Sequence, residues 1–170
     1  MKTRSAFTTL TICVLSALTI ADFVNPPKVE AQPIRDCRQL VTGTYLTTLF
    51  ANFGSFRGIT TFTRDGNFVA TASIQSDVPN IPPFSNTQGS WKCISDREIT
   101  ATGLAFNYST ATLHASITRT DLRATFNPED GTVIQTATLR SFNLNANPLK
   151  DDAPVVQTFT VTGQRVKPGP

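Results

Sequence analysis

The chain has few of the residues that most catalytic chemistry needs. It has one histidine, His114, and three cysteines in 170 residues. A metal centre draws several His, Cys or carboxylate ligands together at close spacing, and the sequence shows no such pattern. A Ser-His-Asp hydrolase would have to use His114, yet there is no G-x-S-x-G elbow and no strand-turn-helix to hold one. Charged residues make up only 16% of the chain, with a formal net charge of +3. They are scattered, with no basic run and no aromatics interleaved with one, which argues against a nucleic-acid partner. Glycoside hydrolysis needs two acids facing one cleft; within strand-like runs only Glu98 and Asp121 occur, both near ends or breaks. The turns Glu129-Asp130-Gly131 and Asp151-Asp152 carry too few oxygen ligands for calcium. No metal or cofactor is expected. Also missing is an apolar stretch of the ~20 residues that a membrane-crossing helix needs.

The one sustained apolar run, Leu10 to Ala21, lies near the start and follows Lys2 and Arg4. A basic start, a short apolar centre and a small-residue exit read as a secretory signal peptide. Cleavage fits after Ala21 or after Ala31. Pro26 and Pro27 favour the second, giving a signal peptide over residues 1–31, a single domain over 32–170, and a secreted or periplasmic protein with no membrane span in the mature chain. Cys13 lies inside the apolar run, where it is a poor lipidation site. Cys37 and Cys93 then remain, and an even count in an exported chain reads as one disulfide; the rival reading is a pair of buried thiols. A bridge would close a loop of about 57 residues and contribute on the order of 4 kcal/mol in the chain-entropy model.

The remainder is rich in Thr, Phe, Val and Ile and shows no sustained helical period. Alternating runs recur between turn signals instead. They span Gly43 to Phe50, Phe56 to Thr63, Asn67 to Gln75, Gln88 to Ile94, Glu98 to Asn107, Thr112 to Phe126, Thr132 to Leu144 and Val155 to Val166. Asp65-Gly66 between the second and third is a strong hairpin signal. The Asp77 to Asn86 segment holds Pro79, Pro82 and Pro83, which cannot donate to a ladder. It reads as a long loop of the kind that forms lids or binding loops. In the sixth run, Leu113, Ala115 and Ile117 share one parity whereas Leu122, Ala124 and Phe126 share the other. That switch predicts a β-bulge near Arg119 to Asp121. Eight short-linked strands predict a closed antiparallel up-and-down β-barrel, wide enough for packed side chains or one small ligand. A β-sandwich is the alternative.

Within Gln88 to Cys93, alternation puts Gly89, Trp91 and Cys93 on the inward face. Trp91 then reads as the floor of the barrel, with Cys93 near enough to reach Cys37. The competing reading makes Trp91 a stacking platform for a planar ligand. Arg119, Asp121 and Arg123 share one face. Outward, they form a solvated ion-pair row of little energetic value; inward, they would pair and orient a polar ligand group, joined by Arg140. His114 is expected on the sixth strand as a surface or hydrogen-bonded imidazole. Asn107-Tyr108-Ser109 matches the N-glycosylation pattern, a match expected by chance.

The segments GTYLTTL, RGITTFTRDGNFVAT, PFSNTQGSWKC, EITATGLAFN, ATLRSFNLNANPL and FTVTGQRV together resemble a group of small secreted bacterial proteins with calycin- or allene-oxide-cyclase-like barrels. The likeness runs from Gly43 to Val166. Gly89-Ser90-Trp91 is similar to the lipocalin Gly-x-Trp, which lipocalins carry on the first strand; here it sits on the fourth. No catalytic residue carries over. The resemblance implies a barrel with one open mouth. Such a cup either holds a small hydrophobic ligand or encloses a lipid-like or polyketide-like substrate and steers its cyclisation or isomerisation by shape. A third possibility is a solid-filled structural protein of the envelope or matrix. Phe68, Trp91, Phe126, Phe159 and Arg119 are the candidate ligand contacts. Small inward residues (Ala70, Ala72, Ala101, Gly103, Ala137) are expected to leave room.

Overall fold

Alternating side chains commit each run to a strand with one face inward, and the chain curls these strands into a barrel. A computed structural model describes residues 36–51, 54–76 and 81–169. The expected signal peptide, its two cleavage sites and Cys13 lie outside these residues. A short helix, α1 (Cys37–Val41), precedes β1 (Gly43–Ala51), β2 (Gly54–Phe62), β3 (Asn67–Ala72), β4 (Thr87–Cys93), β5 (Glu98–Asn107), β6 (Ser116–Phe126), β7 (Thr132–Asn143) and β8 (Val155–Arg165). Each strand pairs antiparallel with the next, and β8 returns to β1 through pairs such as Thr47 with Gly163, so the eight-stranded barrel is closed. Closure leaves no unpaired sheet edge.

One end of the barrel is packed solid. Phe62 touches the rings of Tyr45, Phe68, Trp91 and Phe126 at centroid distances of 5.8–6.0 Å, three of them edge-on, the geometry that aromatic quadrupoles favour. Ile99, Ala101, Ala124 and Val133 fill the gaps. Helix α1 belongs to this floor: Cys37, Leu40 and Val41 are buried in the same cluster. Five residues are too few to hold a helix alone. Asp36 caps it by accepting from the Arg38 N–H, and the Cys37–Cys93 disulfide ties it to the end of β4. The Tyr45 hydroxyl donates to the Leu40 and Val41 carbonyls at 3.3 and 3.1 Å.

Trp91 is 6% exposed, and its indole Nε1 is shared between the Thr63 and Asn67 carbonyls at 3.1 and 3.0 Å. These carbonyls bracket the β2–β3 hairpin, whose Gly66 takes φ +93°, a conformation that costs glycine little. The floor reading of Trp91 is therefore the observed one. Gly89 and Gly103 face each other across β4 and β5, and the Phe68 ring lies over both. A Cβ on Gly89 would come within 2.7 Å of that ring and within 2.1 Å of the Thr102 carbonyl oxygen. Gly103 thus makes room for a side chain rather than for a ligand.

Burial pushes the Tyr45 phenol above its ordinary value of 10, with the nearby Arg165 guanidinium pulling the other way. The unfolded phenol ionises first as pH rises. Its contribution is therefore intact below about pH 10 and is lost as pH climbs from there toward the native value. Denaturant titrations at pH 8 and pH 11 should show a steeper alkaline loss in the wild type than in Tyr45→Phe. At pH 8 that variant should already be weaker by about 1 kcal/mol, for the lost bonds to α1. Equal alkaline loss in both proteins would show that Tyr45 is not responsible.

Two departures from the sequence reading concern β6 and β8. The predicted bulge near Arg119 to Asp121 is absent: β6 runs in unbroken register against β5 and β7. Leu113, 44% exposed, and His114 precede the strand in a loop closed by Thr110 N–H to Leu113 O, so the parity of that stretch says nothing about the sheet. His114 is accordingly an exposed loop residue, not a strand residue. The irregularity in the barrel occurs instead between β7 and β8. Leu139 pairs with Gln157 but Arg140 pairs with Val155, leaving Val156 over.

Candidate functional site

Above the aromatic floor the barrel is hollow. A cavity of about 470 Å³ opens at the end opposite α1, within the ~300–1,000 Å³ usual for small-molecule sites. Its lower wall is formed by Phe68, Leu122, Ala137, Phe159 and Val161, and small side chains at Ala70, Ala72 and Ala105 keep it open. Ala101 was expected to make room, but it packs into the floor. At the mouth, Ile74 and Val156 join Ile81, Pro82 and Phe84 of the proline-rich loop. That loop is tied down where it re-enters the sheet. Phe84 bridges Asn107, and Ser85 N–H and Tyr108 N–H bond to the Phe106 and Pro83 carbonyls at 2.8 Å. The Gln75 amide adds bonds to Phe84 O and Asn86 Oδ1. Residues 77–80 of the expected loop lie outside the described residues.

The apolar wall carries a set of polar groups. Thr47, Thr60, Thr118, Thr120, Asn107 and Gln135 all line the cavity. The apparent parity switch in β6 now has a physical explanation. Inward positions are apolar where they meet the floor (Leu122, Ala124, Phe126) and hydroxylated where they meet the cavity (Thr118, Thr120). The Asn107 amide is held by the Ser116 and Thr118 hydroxyls at 2.8 and 2.7 Å, so the glycosylation-like triplet has a structurally engaged Asn. Gln135 differs from the rest: it is 2% exposed and its Nε2 has no hydrogen-bond partner in the protein.

The candidate ligand contacts separate into three groups. Phe68 and Phe159 line the cavity. Trp91 and Phe126 lie below it in the floor, where neighbouring rings and α1 cover them. Arg119 is not brought to the cavity. It sits on the outer face with Asp121 and Arg123, because its odd parity in an unbulged strand points it away from Thr118 and Thr120. Asp121 binds Arg119 and Arg140 at 3.1 and 2.7 Å, and Arg123 pairs with Glu98 at 2.9 Å. This row is less solvated than expected. Arg119 also stacks over Phe142 and donates to the Pro148 and Asp151 carbonyls, and its side chain is only 15% exposed. The 145–154 segment is thereby strapped to the barrel wall.

Sequence reasoning missed Gln135 and the threonines as cavity groups. The signal was present as a buried-parity amide between Val133 and Ala137, but alternation alone does not tell core from lumen. Among the described lining residues Arg57 is the only one with an ionisable side chain; it is exposed and donates to Thr48 at 2.8 Å. Among the described residues no group of three His, Cys, Asp or Glu side chains could hold a metal, and no helix is long and apolar enough to cross a membrane. The site can enclose an apolar molecule and offer it neutral hydrogen bonds; among the described residues no carboxylate or imidazole lines its wall. No protein-family model matches this chain, and no curated protein or solved structure is significantly similar to it.

Proposed function

We propose that this is an exported β-barrel protein that binds a small hydrophobic ligand in its interior. The single observation that carries the reading is a mostly apolar cavity of about 470 Å³ above a sealed aromatic floor. Export is supported by the Cys37–Cys93 disulfide, a bond that belongs to oxidising compartments, and by the signal-like start of the sequence. The architecture is compatible with a calycin-like barrel, a cup for apolar molecules. A binding role, rather than acid–base catalysis, is favoured by a wall on which no described residue is a carboxylate, imidazole or thiol. A cyclase or isomerase that works by shape would use the same cavity, with Gln135 and the threonine hydroxyls as its polar groups. A structural barrel would have no need of the hollow.

The test is a titration with the neutral apolar fluorophore N-phenyl-1-naphthylamine, alongside native mass spectrometry of protein from its own host. Ala137 points inward between Leu122 and Phe159, whereas its neighbour Thr136 points out. Ala137→Phe should weaken probe binding by at least about tenfold by filling the cavity, and Thr136→Phe should leave it unchanged. Equal binding by wild type and Ala137→Phe would place the probe elsewhere and refute the proposal.

A further inference from the structure

We propose that the mouth end of the barrel is a docking surface for a lipid bilayer, from which the protein draws its ligand. This rests on the hydrophobic-ligand reading above and adds the partner that supplies the ligand. Single exposed apolar side chains are ordinary on a protein surface; here they gather at one end. Phe50 stands at the end of β1, Phe106 and Tyr108 at the end of β5, Leu113 in the β5–β6 loop, and Leu144 and Leu149 in the β7–β8 loop, and all are exposed. None of these lines the cavity, whereas the exposed Val156 belongs to both rim and cavity. The apolar collar is therefore continuous with the apolar lumen. At the opposite end, sealed by the aromatic floor, the exposed large apolar residues among those described are Ile94 and Val166.

Charge is distributed the other way. Each hairpin turn at the floor end carries an adjacent, exposed charged pair: Arg64-Asp65, Asp96-Arg97 and Glu129-Asp130. At the mouth end, residues 108–115 contain no Asp, Glu, Lys or Arg. In the β7–β8 loop, Asp152 reaches toward Arg119 and Arg140 of the outer wall and Asp151 accepts from the Asn147 N–H, which leaves Lys150 as the loop's remaining charge. An end poor in charge enters an uncharged layer at little desolvation cost, whereas the charged end has to stay in water. Phe and Tyr rings suit the headgroup level of a bilayer. The described charges near the mouth balance, Arg57 and Lys150 against Asp151 and Asp152, so docking depends on apolar area and not on lipid charge. A second copy seated on the collar would close both cavities. A bilayer covers the collar and is at the same time a reservoir for an apolar molecule.

Co-sedimentation with sucrose-loaded vesicles of palmitoyl-oleoyl phosphatidylcholine tests this. The wild type should pellet with them to within about twofold the same extent at low and high salt, and with or without added phosphatidylglycerol. Phe106→Asp combined with Leu149→Asp should lower the partition coefficient at least about tenfold. Leu113→Asp combined with Leu144→Asp should do the same, so that damage at one place does not decide the result. Ile94→Asp, at the floor end, should change nothing. In vesicle-free solution both double variants should bind N-phenyl-1-naphthylamine as the wild type does, because the replaced side chains do not line the cavity. If the wild type fails to pellet, or both double variants still pellet, the docking surface is overturned, and fluorophore binding then shows whether the cavity reading stands. Pelleting that requires phosphatidylglycerol and is lost in salt would overturn it in favour of charge-driven binding. A soluble dimer broken by the same substitutions would assign the collar to a second copy and overturn it too. If the wild type pellets as expected but Ala137→Phe leaves fluorophore binding unchanged, the ligand reading falls, and with it the ligand exchange, while the docking surface remains.

Discussion

Replacing Cys37 and Cys93 together by alanine is expected to lower the unfolding free energy by about 4 kcal/mol. The two residues are 56 apart in sequence. In the oxidised protein the bridge denies the unfolded chain the many conformations in which these points are distant, and removing it restores them. A local effect adds to this. Helix α1 has five residues and cannot sustain itself, so without the bridge it is held by the burial of Leu40 and Val41, the two bonds from Tyr45, a bond from Arg38 to the Arg64 carbonyl and one from Arg165 to the Thr42 carbonyl. Loosening it uncovers the edge of the aromatic floor. Denaturant unfolding with and without reductant measures the loss directly. The oxidised wild type should resist urea well beyond the reduced form, and the double alanine variant should coincide with the latter. A difference under about 1 kcal/mol would mean that the denatured chain keeps these two points close without the bond.

Trp91→Ala is expected to cost about 3–5 kcal/mol, the range for emptying a large aromatic site from a packed core. Beyond the packing with Phe62 and its neighbours, the change leaves the Thr63 and Asn67 carbonyls without the indole donor that spans the β2–β3 hairpin. Trp91→Phe separates the two contributions. It keeps a ring against Phe62 and loses the N–H, so it should cost less, on the order of 1–2 kcal/mol. Urea midpoints for the three proteins should fall in the order wild type, phenylalanine, alanine. The same pair of variants decides between floor and stacking platform. Trp91 lies outside the cavity, so Trp91→Phe should bind N-phenyl-1-naphthylamine as the wild type does. A severalfold loss of binding with unchanged stability would return the tryptophan to the ligand site.

Most of the architecture was legible because each strand carries its own instructions. Phe68, Ala70 and Ala72 in β3, or Gly89, Trp91 and Cys93 in β4, are sorted by a period of two that needs no knowledge of the partner strand. Asp65-Gly66 and the Asn127 to Gly131 stretch mark their turns by residue type alone. The errors arose where parity was read without knowing where a strand begins. Leu113 and Ala115 looked like strand positions out of phase and produced a bulge that does not exist. The real irregularity, at Val156, had no visible signal, since Val155, Val156 and Gln157 alternate no worse than their neighbours.

The candidate site was less legible, for a reason specific to barrels. Thr47, Thr60, Thr118 and Gln135 face inward by parity, and a reader of the sequence takes inward polar residues as exceptions. Arg119 attracted attention because charge near a parity switch is conspicuous, yet it belongs to the strap over the outer wall. By itself the sequence determined that eight alternating strands exist, which face turns inward in strands such as β3 and β4 but not in β6, and that Cys37 and Cys93 stand ready to be joined. Only the tertiary structure decided how far down the lumen is filled, and so which inward residues are floor and which are wall. Inwardness is a property of one strand, whereas emptiness depends on the summed volume of side chains that eight strands and a helix bring to the same height.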